Sequence, residues 1–509
     1  MNAVFTPVYT VLIMRLGIDM KYLLGIDFGG GASKATLLSV EGKIVATNTT
    51  EYPTNYPKPG YAEQNPDHWV EATCENIKGV LSKSGVMPKD ICALSLDAAT
   101  HTAVIMDENF NVIRPAIYWT DTRSTKEVAY LKENYGDVIE KQVLHKADTI
   151  WSLPELMWIK NNEPENWARV KKILFAKDYV RHCLTGDYVT DFIEAEGSMM
   201  FDINTMQWSR ELCDILEIDV NMMPQIVKPT DIVGKITAEA AALTGLLEGT
   251  PVLCGTTDTV MEVFASGAVT KGAMTLKLAT AGRICVVTDK PYPDINLINY
   301  SHVIDGLFYP GTATKSCAAS YRWYRDTFGG DYAELDKLAE GVAIGSDGLV
   351  FHPYLNGELT PYANPNLCAD FVGVRSSHTK AHFTRAVLEG VAMSMLDCKT
   401  ALDNLNIPHS DSAVIIGGGG KSPLWRQMVS DALSIKLVEM KYADSSLGSA
   451  MLAGIAIGVF ESPEVAVATC NAVVSETLPN SENTKEYAKL FKKYKAVQKA
   501  LEPIYNGEF

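Results

Sequence analysis

The sequence predicts an α/β protein of at least two domains, and three observations predict it. Its 509 residues exceed what one domain of roughly 100–200 residues holds. Short apolar runs end in small-residue turns after residues 22–27, 274–278 and 413–416. The first two of those turns are each followed by another strand-like run, so each half of the chain opens with strand, turn, strand. A duplicated fold whose two hairpin turns face each other across a cleft would clamp a polyphosphate from both sides.

Composition narrows the function. Hydrophobic residues at 47% and charged residues at 21% describe a globular chain, too apolar for disorder. Lys+Arg 45 against Asp+Glu 61 leaves a net charge of −16, which argues against a nucleic-acid or anionic-membrane binder. A nucleotide ligand stays open, because a few aimed backbone N–H groups hold a phosphate whatever the net charge. The 10 cysteines form no C-x-x-C pair and no Cys/His cluster of zinc-ligand spacing, so they read as buried thiols in a reducing compartment. No run of 18 apolar residues predicts a membrane span. Residues 1–19 lack a cationic start and a small-residue cleavage pattern, and read as an appendage; the fold is expected to begin near Met20, in a cytoplasmic protein.

Along the chain, the run 22–27 closes on Asp27 and is followed by Gly29-Gly30-Gly31-Ala32-Ser33-Lys34. Strand-like runs at 35–40 and 43–47 flank Glu41-Gly42, a tight-turn pair. A dinucleotide fingerprint fails here, since G-x-G-x-x-G is not completed and a strand rather than a helix follows. A Walker loop fails as well. What remains is a hairpin whose glycine turn lets backbone amides approach a phosphate. Asp27 would hold Mg²⁺ through water there, or else only cap the turn.

A second strand ends at Asp97 and leads to Thr100-His101, a histidine able to orient a polyol hydroxyl or to be a satisfied structural residue. A third strand, 251–254, leads through Gly255-Thr256-Thr257 to Asp258 and Thr259. An acid at that end of an α/β strand can take a proton from a substrate hydroxyl during phosphoryl transfer, or bond its own backbone. The second hairpin turn is Ala279-Thr280-Ala281-Gly282. The third turn, 416–422 (IGGGGKS), precedes the helical pattern 423–433 and offers amides at a helix start.

These pieces together resemble the FGGY family of carbohydrate kinases, its xylulose-phosphorylating branch most of all. The stretch 27–34 (DFGGGASK) stands at the family's first phosphate motif, and 61–69 (YAEQNPDHW) resembles its acid-Q-x-P-x-x-W segment. Residues 117–123 (IYWTDTR) resemble W-x-D-x-R, while 152–158 and 369–389 correspond to the two family signatures. The stretch 416–422 with Trp425-Arg426-Gln427 resembles the adenosine-side motif. Residues 351–355 with 357–361 resemble a segment expected to shape the second domain.

The resemblance implies a two-domain actin/hexokinase/Hsp70-like fold with an interdomain cleft, divided at 20–267 and 268–509. It implies ATP-dependent phosphorylation of a sugar hydroxyl, D-xylulose first, with Mg²⁺. Asp258 matches the catalytic base, and Asp27 the first-motif aspartate near the metal. Thr100, His101, Asp258 and Thr259 would meet the sugar. Gly29, Gly30, Gly31, Ser33, Lys34, Thr280, Gly282, Gly418, Gly419 and Lys421 would meet the nucleotide. The implied partners are the sugar and ATP, with a homodimer admitted.

The chain also departs from the pattern. Gly30 replaces a Thr, Ala279-Thr280-Ala281-Gly282 replaces Gly-Thr-Ser-Gly, and Glu155 replaces a Lys, reversing a charge. Ala99-Thr100 replaces Gln-Met and Thr259 replaces Asn, changes that bear on which sugar fits. Alternatives are a family kinase for ribulose, gluconate, fuculose or a polyol, and a non-catalytic sugar- or nucleotide-binding paralogue. An actin- or chaperone-like ATPase lacks support, because no separate β-rich peptide-binding segment follows the second domain.

Overall fold

In the computed structural model, which describes residues 22–294 and 297–508, β1 (Tyr22–Phe28) and β2 (Ala32–Ser39) form an antiparallel hairpin around the glycine turn. β3 (Ile44–Glu51) continues it. Leu24, Ile26 and Phe28 of β1 are buried in one core with Leu37, Trp69, Leu94 and Val252. Helix α1 (Pro66–Ser84) packs over β2 and β3. It starts where the Asn65 side chain accepts from Asp67 N with Pro66 beside it, and stops at Gly85, the residue types that satisfy one helix end and release the other.

β4 (Ile91–Ala98) runs parallel to β1 and is buried along its whole length, as expected of a central strand covered on both faces. The chain then builds α2 (Ser152–Asn162), α3 (Ala176–Thr185) and α4 (Phe192–Gly197) before returning to the sheet. β5 (Ile232–Lys235), β6 (Pro251–Leu253) and β7 (Thr256–Thr257) complete it, and α5 (Asp258–Ser266) leaves it. The strand order is β5-β6-β4-β1-β2-β3, with β7 pairing β4.

The second sheet repeats the plan. β8 (Met274–Leu278) and β9 (Gly282–Val286) form its hairpin, and β10 (Gly311–Ala313) continues it. After α6 (Ala318–Phe328) and α7 (Lys380–Asn404), β11 (Ser412–Ile416) pairs parallel with β8. Helix α8 (Pro423–Leu433) and β12 (Lys436–Met440) follow. From the hairpin edge inward, both sheets read antiparallel, antiparallel, parallel, parallel, antiparallel. That identity of pairing is the duplication signalled by the two strand–turn–strand runs.

Then α9 (Ser445–Ala456) intervenes before β13 (Val473–Thr477), at the second sheet's edge, and the long α10 (Ser481–Tyr505). The chain forms two compact units. One holds the described residues through Gly267 with His302–Asp305 and Tyr442–Asn471; the other holds Ala268–Ser301, Gly306–Lys441 and the residues from Ala472 on. Thus 442–471, which a linear division assigns to the second domain, packs with the first unit, where α9 lies against β1, β4 and α5. The second unit has its own core, including Leu276, Ile284, Phe351, Trp425, Leu437 and Tyr494. Among the described residues no helix is long and apolar enough to cross a membrane. The expected appendage at 1–19 lies outside the described residues.

Candidate active site

The first turn is held by its carbonyls. Tyr52 donates its hydroxyl to Gly29 O at 2.6 Å, while Thr54 Oγ1 and Gln64 Nε2 both donate to Gly30 O at 2.9 Å. Tyr52 N donates to Gly31 O at 3.0 Å. No described hydrogen bond engages the amides of Gly30 and Gly31, so the turn keeps its donors for an anion. Ser33 is fully buried opposite Phe28 of the core, on the other face of the hairpin from Asp27 and Lys34. The structure does not bring its hydroxyl to the Asp27 side. Lys34 does share that side, and its Nζ donates to Asp444 Oδ2 at 2.5 Å. Asp444 also caps α9, accepting from Leu447 N at 3.3 Å and from the Ser446 hydroxyl.

Beside Asp27 stands Asp97, an acid that the sequence marks only as a strand end. Asp97 is its register partner on parallel β4, so both carboxyls lie on one face. Ser449 Oγ of α9 donates to Asp97 Oδ2 at 2.5 Å, and Asp97 is fully buried. Asp27 Oδ1 and Asp97 Oδ1 are buried without a hydrogen-bond partner. Burial first, then the charge of Asp258, pushes the Asp27 carboxyl up to about 7. Burial and Asp27 push Asp97 well above the ordinary carboxylate range. The signal in the sequence was a single acid inside a strand that is apolar but for Ser95, ICALSLDA.

Asp258 is the first residue of α5, and its Oδ1 accepts from Thr259 Oγ1 at 3.1 Å. Thr259 is thereby occupied with the acid as well as adjacent to it. Two residues earlier, Thr256 Oγ1 donates to Asp191 Oδ1 at 2.8 Å, and Asp191 caps α4. From α4, Glu194 Oε1 accepts the backbone N–H of His101 at 2.9 Å, and Ser152 Oγ of α2 donates to His101 O at 2.5 Å. These two bonds hold His101 at φ 74°, a left-handed conformation unusual for a residue with a side chain. Its ring meets the Trp151 ring edge-on at 4.4 Å, and Nε2 lies 2.6 Å from Thr100 Oγ1. Glu155, one turn along α2, is buried with both carboxylate oxygens unpartnered. Burial, with Asp121 adding to it, holds that carboxyl far above its usual range. Burial therefore works against the negative charge that the sequence places at this position.

In the second unit, β8 and β11 are parallel neighbours with Lys277 opposite Ile416, so the second hairpin turn and the glycine turn leave adjacent strands at the same end. Ala279 O and Thr280 O accept from Ala318 N and Cys317 N at 2.8 and 2.9 Å. The carbonyls are tied back, as in the first turn. Thr280 is exposed, while Gly282 is buried and bonded to Thr314 Oγ1 at 3.0 Å. Gly418, Gly419 and Lys421 form a single tight turn, after which the Ser422 side chain accepts from Trp425 N at 3.1 Å to start α8. The unit thus collects Thr280, Gly282, Gly418, Gly419 and Lys421 at one sheet end.

Among the described residues no group of three or more His, Cys, Asp or Glu side chains could hold a metal ion. An orphaned Asp27 oxygen among acids fits a cation held mainly by water and phosphate oxygens, which is how Mg²⁺ usually binds.

Known proteins are similar to this chain in sequence and fold. The profile of the FGGY family of carbohydrate kinases, N-terminal domain, matches residues 22–265, and that of its C-terminal domain matches 286–457. The xylulose kinase of Bacillus subtilis (strain 168) is 31% identical over 483 residues, 94% of this chain and 97% of that protein. The gluconokinase of Bacillus licheniformis is 30% identical over 500 residues, 95% and 97%. The crystal structure of ligand-bound xylulose kinase from Lactobacillus acidophilus superposes with a TM-score of 0.90 at 26% identity, covering 96% of this chain and 99% of that one.

Proposed function

The chain belongs to the FGGY family of carbohydrate kinases, and from that premise we propose that it transfers the terminal phosphate of ATP to a hydroxyl of D-xylulose, giving D-xylulose 5-phosphate. The carrying observation is the first unit's pairing of a glycine turn with free amides and an acid at a helix start, Asp258, whose charge acts on Asp27.

The sugar's hydroxyl oxygen attacks the γ-phosphorus as the bond to the β-phosphate oxygen breaks. Asp258 orients that hydroxyl and receives its proton, while Thr259 fixes the carboxylate's orientation. His101, locked by Glu194 and Ser152, presents its ring to the sugar with Thr100 beside it. Amides of the first turn take phosphate oxygens; in the second unit, taken by itself, the Ala279–Gly282 turn, the Gly418-Gly419 turn and Lys421 offer the groups for a nucleotide. Lys34 serves this site through Asp444 as much as through phosphate. Asp27 would hold Mg²⁺ through water, and the ion when bound neutralises phosphate charge. Dependence on ATP and ten free thiols suit a cytoplasmic enzyme.

Gluconate is the second reading, favoured by the nearly equal identity of the gluconokinase. The Asp258 carboxylate, placed to meet the sugar hydroxyl, favours a neutral sugar over an anionic one. A coupled ADP-release screen across D-xylulose, D-ribulose, L-fuculose, gluconate and polyols tests this. The expected result is the highest kcat/KM with D-xylulose. Turnover with gluconate alone moves the substrate and keeps the reaction, and no ADP release with any of them overturns the kinase reading.

A further inference from the structure

Gly30 is the middle residue of the first turn, and another residue occupies the space its side chain would take. A Cβ built at Gly30 would lie 2.8 Å from the hydroxyl of Tyr118, closer than packed atoms tolerate. Tyr118 follows the short strand Ala116–Ile117, which pairs with Glu63–Gln64, and Gln64 in turn donates to Gly30 O. Tyr118 N donates to Ala62 O at 2.9 Å, and its ring packs with Ala62 and Ala99, leaving the residue 6% exposed. Ala99 immediately precedes Thr100-His101, so the ring runs from the sugar-side loop to the phosphate turn.

The alternatives for a hydroxyl at this turn are spent. Tyr52 already donates to Gly29 O at 2.6 Å, and Ser33 lies on the core face. Burial pushes the Tyr118 phenol up, a hydrogen bond with Trp119 pulls it back by less, and the charges of Asp258 and Asp27 push it further. It is therefore a protonated donor throughout the neutral range, within the field of both acids that matter to transfer.

We propose that Tyr118 supplies the side-chain hydroxyl of the first phosphate turn, donating its phenol proton as a hydrogen bond to an oxygen of ATP's terminal phosphate in place of the hydroxyl that Gly30 lacks. Glycine at position 30 and tyrosine at position 118 are then one device, because a larger residue at 30 would displace the phenol. The proposal rests on the phosphoryl-transfer reading but not on the identity of the sugar.

The test uses the full chain with Tyr118→Phe, Gly30→Thr and the double variant. MgATP and MgADP affinities are measured by calorimetry without sugar, alongside thermal midpoints and kcat and KM for the preferred sugar. A hydrogen bond to a charged oxygen is worth about tenfold to a hundredfold in affinity. Tyr118→Phe is expected to lose that for MgATP, with MgADP affinity, thermal midpoint and sugar KM little changed and kcat lower. Gly30→Thr alone is expected to lose ATP preference through the clash, and the double variant to regain part of it, since phenylalanine leaves room for the threonine hydroxyl. Unchanged MgATP affinity and kcat in Tyr118→Phe overturns the proposal. So do equal losses for both nucleotides with a lower midpoint, which mark a packing role, and a double variant no better than either single one. If no sugar supports turnover, the substrate reading fails while the ATP-to-ADP ratio still decides the role of Tyr118.

Discussion

Asp27 and Asp97 place two carboxyls on one rung of β1 and β4, hydrogen-bonded to each other, with Ser449 donating to Asp97 and Ser445 bonding Asp27. Folded Asp27 keeps its proton to about pH 7, whereas in the unfolded chain it would lose it near pH 4. The folded state therefore binds the extra proton between those values, and its stability falls as pH rises through that window. Asp27→Asn is expected to remove this slope, gaining on the order of 4 kcal/mol over the parent chain at pH 8 and only a few tenths at pH 4. Denaturant unfolding of ligand-free protein at the two pH values reads it, and an equal difference at both contradicts it. Gly197 is a second residue-scale constraint: a Cβ there would lie 2.1 Å from His101 Nδ1. Gly197→Ala is expected to raise the sugar KM by about tenfold or more while MgATP affinity stays put, because the displaced ring belongs to sugar positioning. An unchanged sugar KM would remove His101 from that role.

Helix α3 shows what an element can hide. Its sequence, AKDYVRHCLT, carries three charged residues, Lys177, Asp178 and Arg181, and all three are fully buried. Lys177 Nζ meets Asp178 at 2.5 Å and Asp191 at 2.8 Å, and Arg181 meets Asp178 at 2.7 Å and Asp187 at 2.9 Å. Asp191 ties this network to α4 and, through Glu194, to His101. Asp191→Ala removes a cap and leaves Lys177 with one acid instead of two. The expected cost is about 3–5 kcal/mol in denaturant unfolding, with a raised sugar KM; a cost below 1 kcal/mol (on the scale of an exposed pair) would show that the network carries little. Elements written in adjacent residues were legible. The hairpins flank their own turns, and Ser422-Pro423 starts α8 where the pattern placed it. The α3 network was not legible, because its partners Asp187, Asp191 and Cys254 lie outside the helix and only the fold brings them in.

At the scale of the molecule, the two sheets repeat one sequence of strand directions, and that duplication was readable because each copy opens with a run ending in small residues. The return of Tyr442–Asn471 to the first unit was not, since no residue in that stretch marks which sheet it will cover. Its consequence is chemical: α9 brings Ser449 to Asp97 and Asp444 to Lys34, completing a site whose other members lie before residue 260. The family match accounts for this plan, and the departures at Gly30 and Glu155 find local physical reasons in Tyr118 and in burial. The central claim is that Asp258 readies an alcohol for attack on a triphosphate held by backbone amides. The most direct measurement pairs ADP release with MgATP calorimetry in Asp258→Ala. Turnover is expected to fall by about 10²–10⁴-fold with nucleotide affinity close to that of the parent chain. A retained rate, or lost MgATP binding, would contradict it.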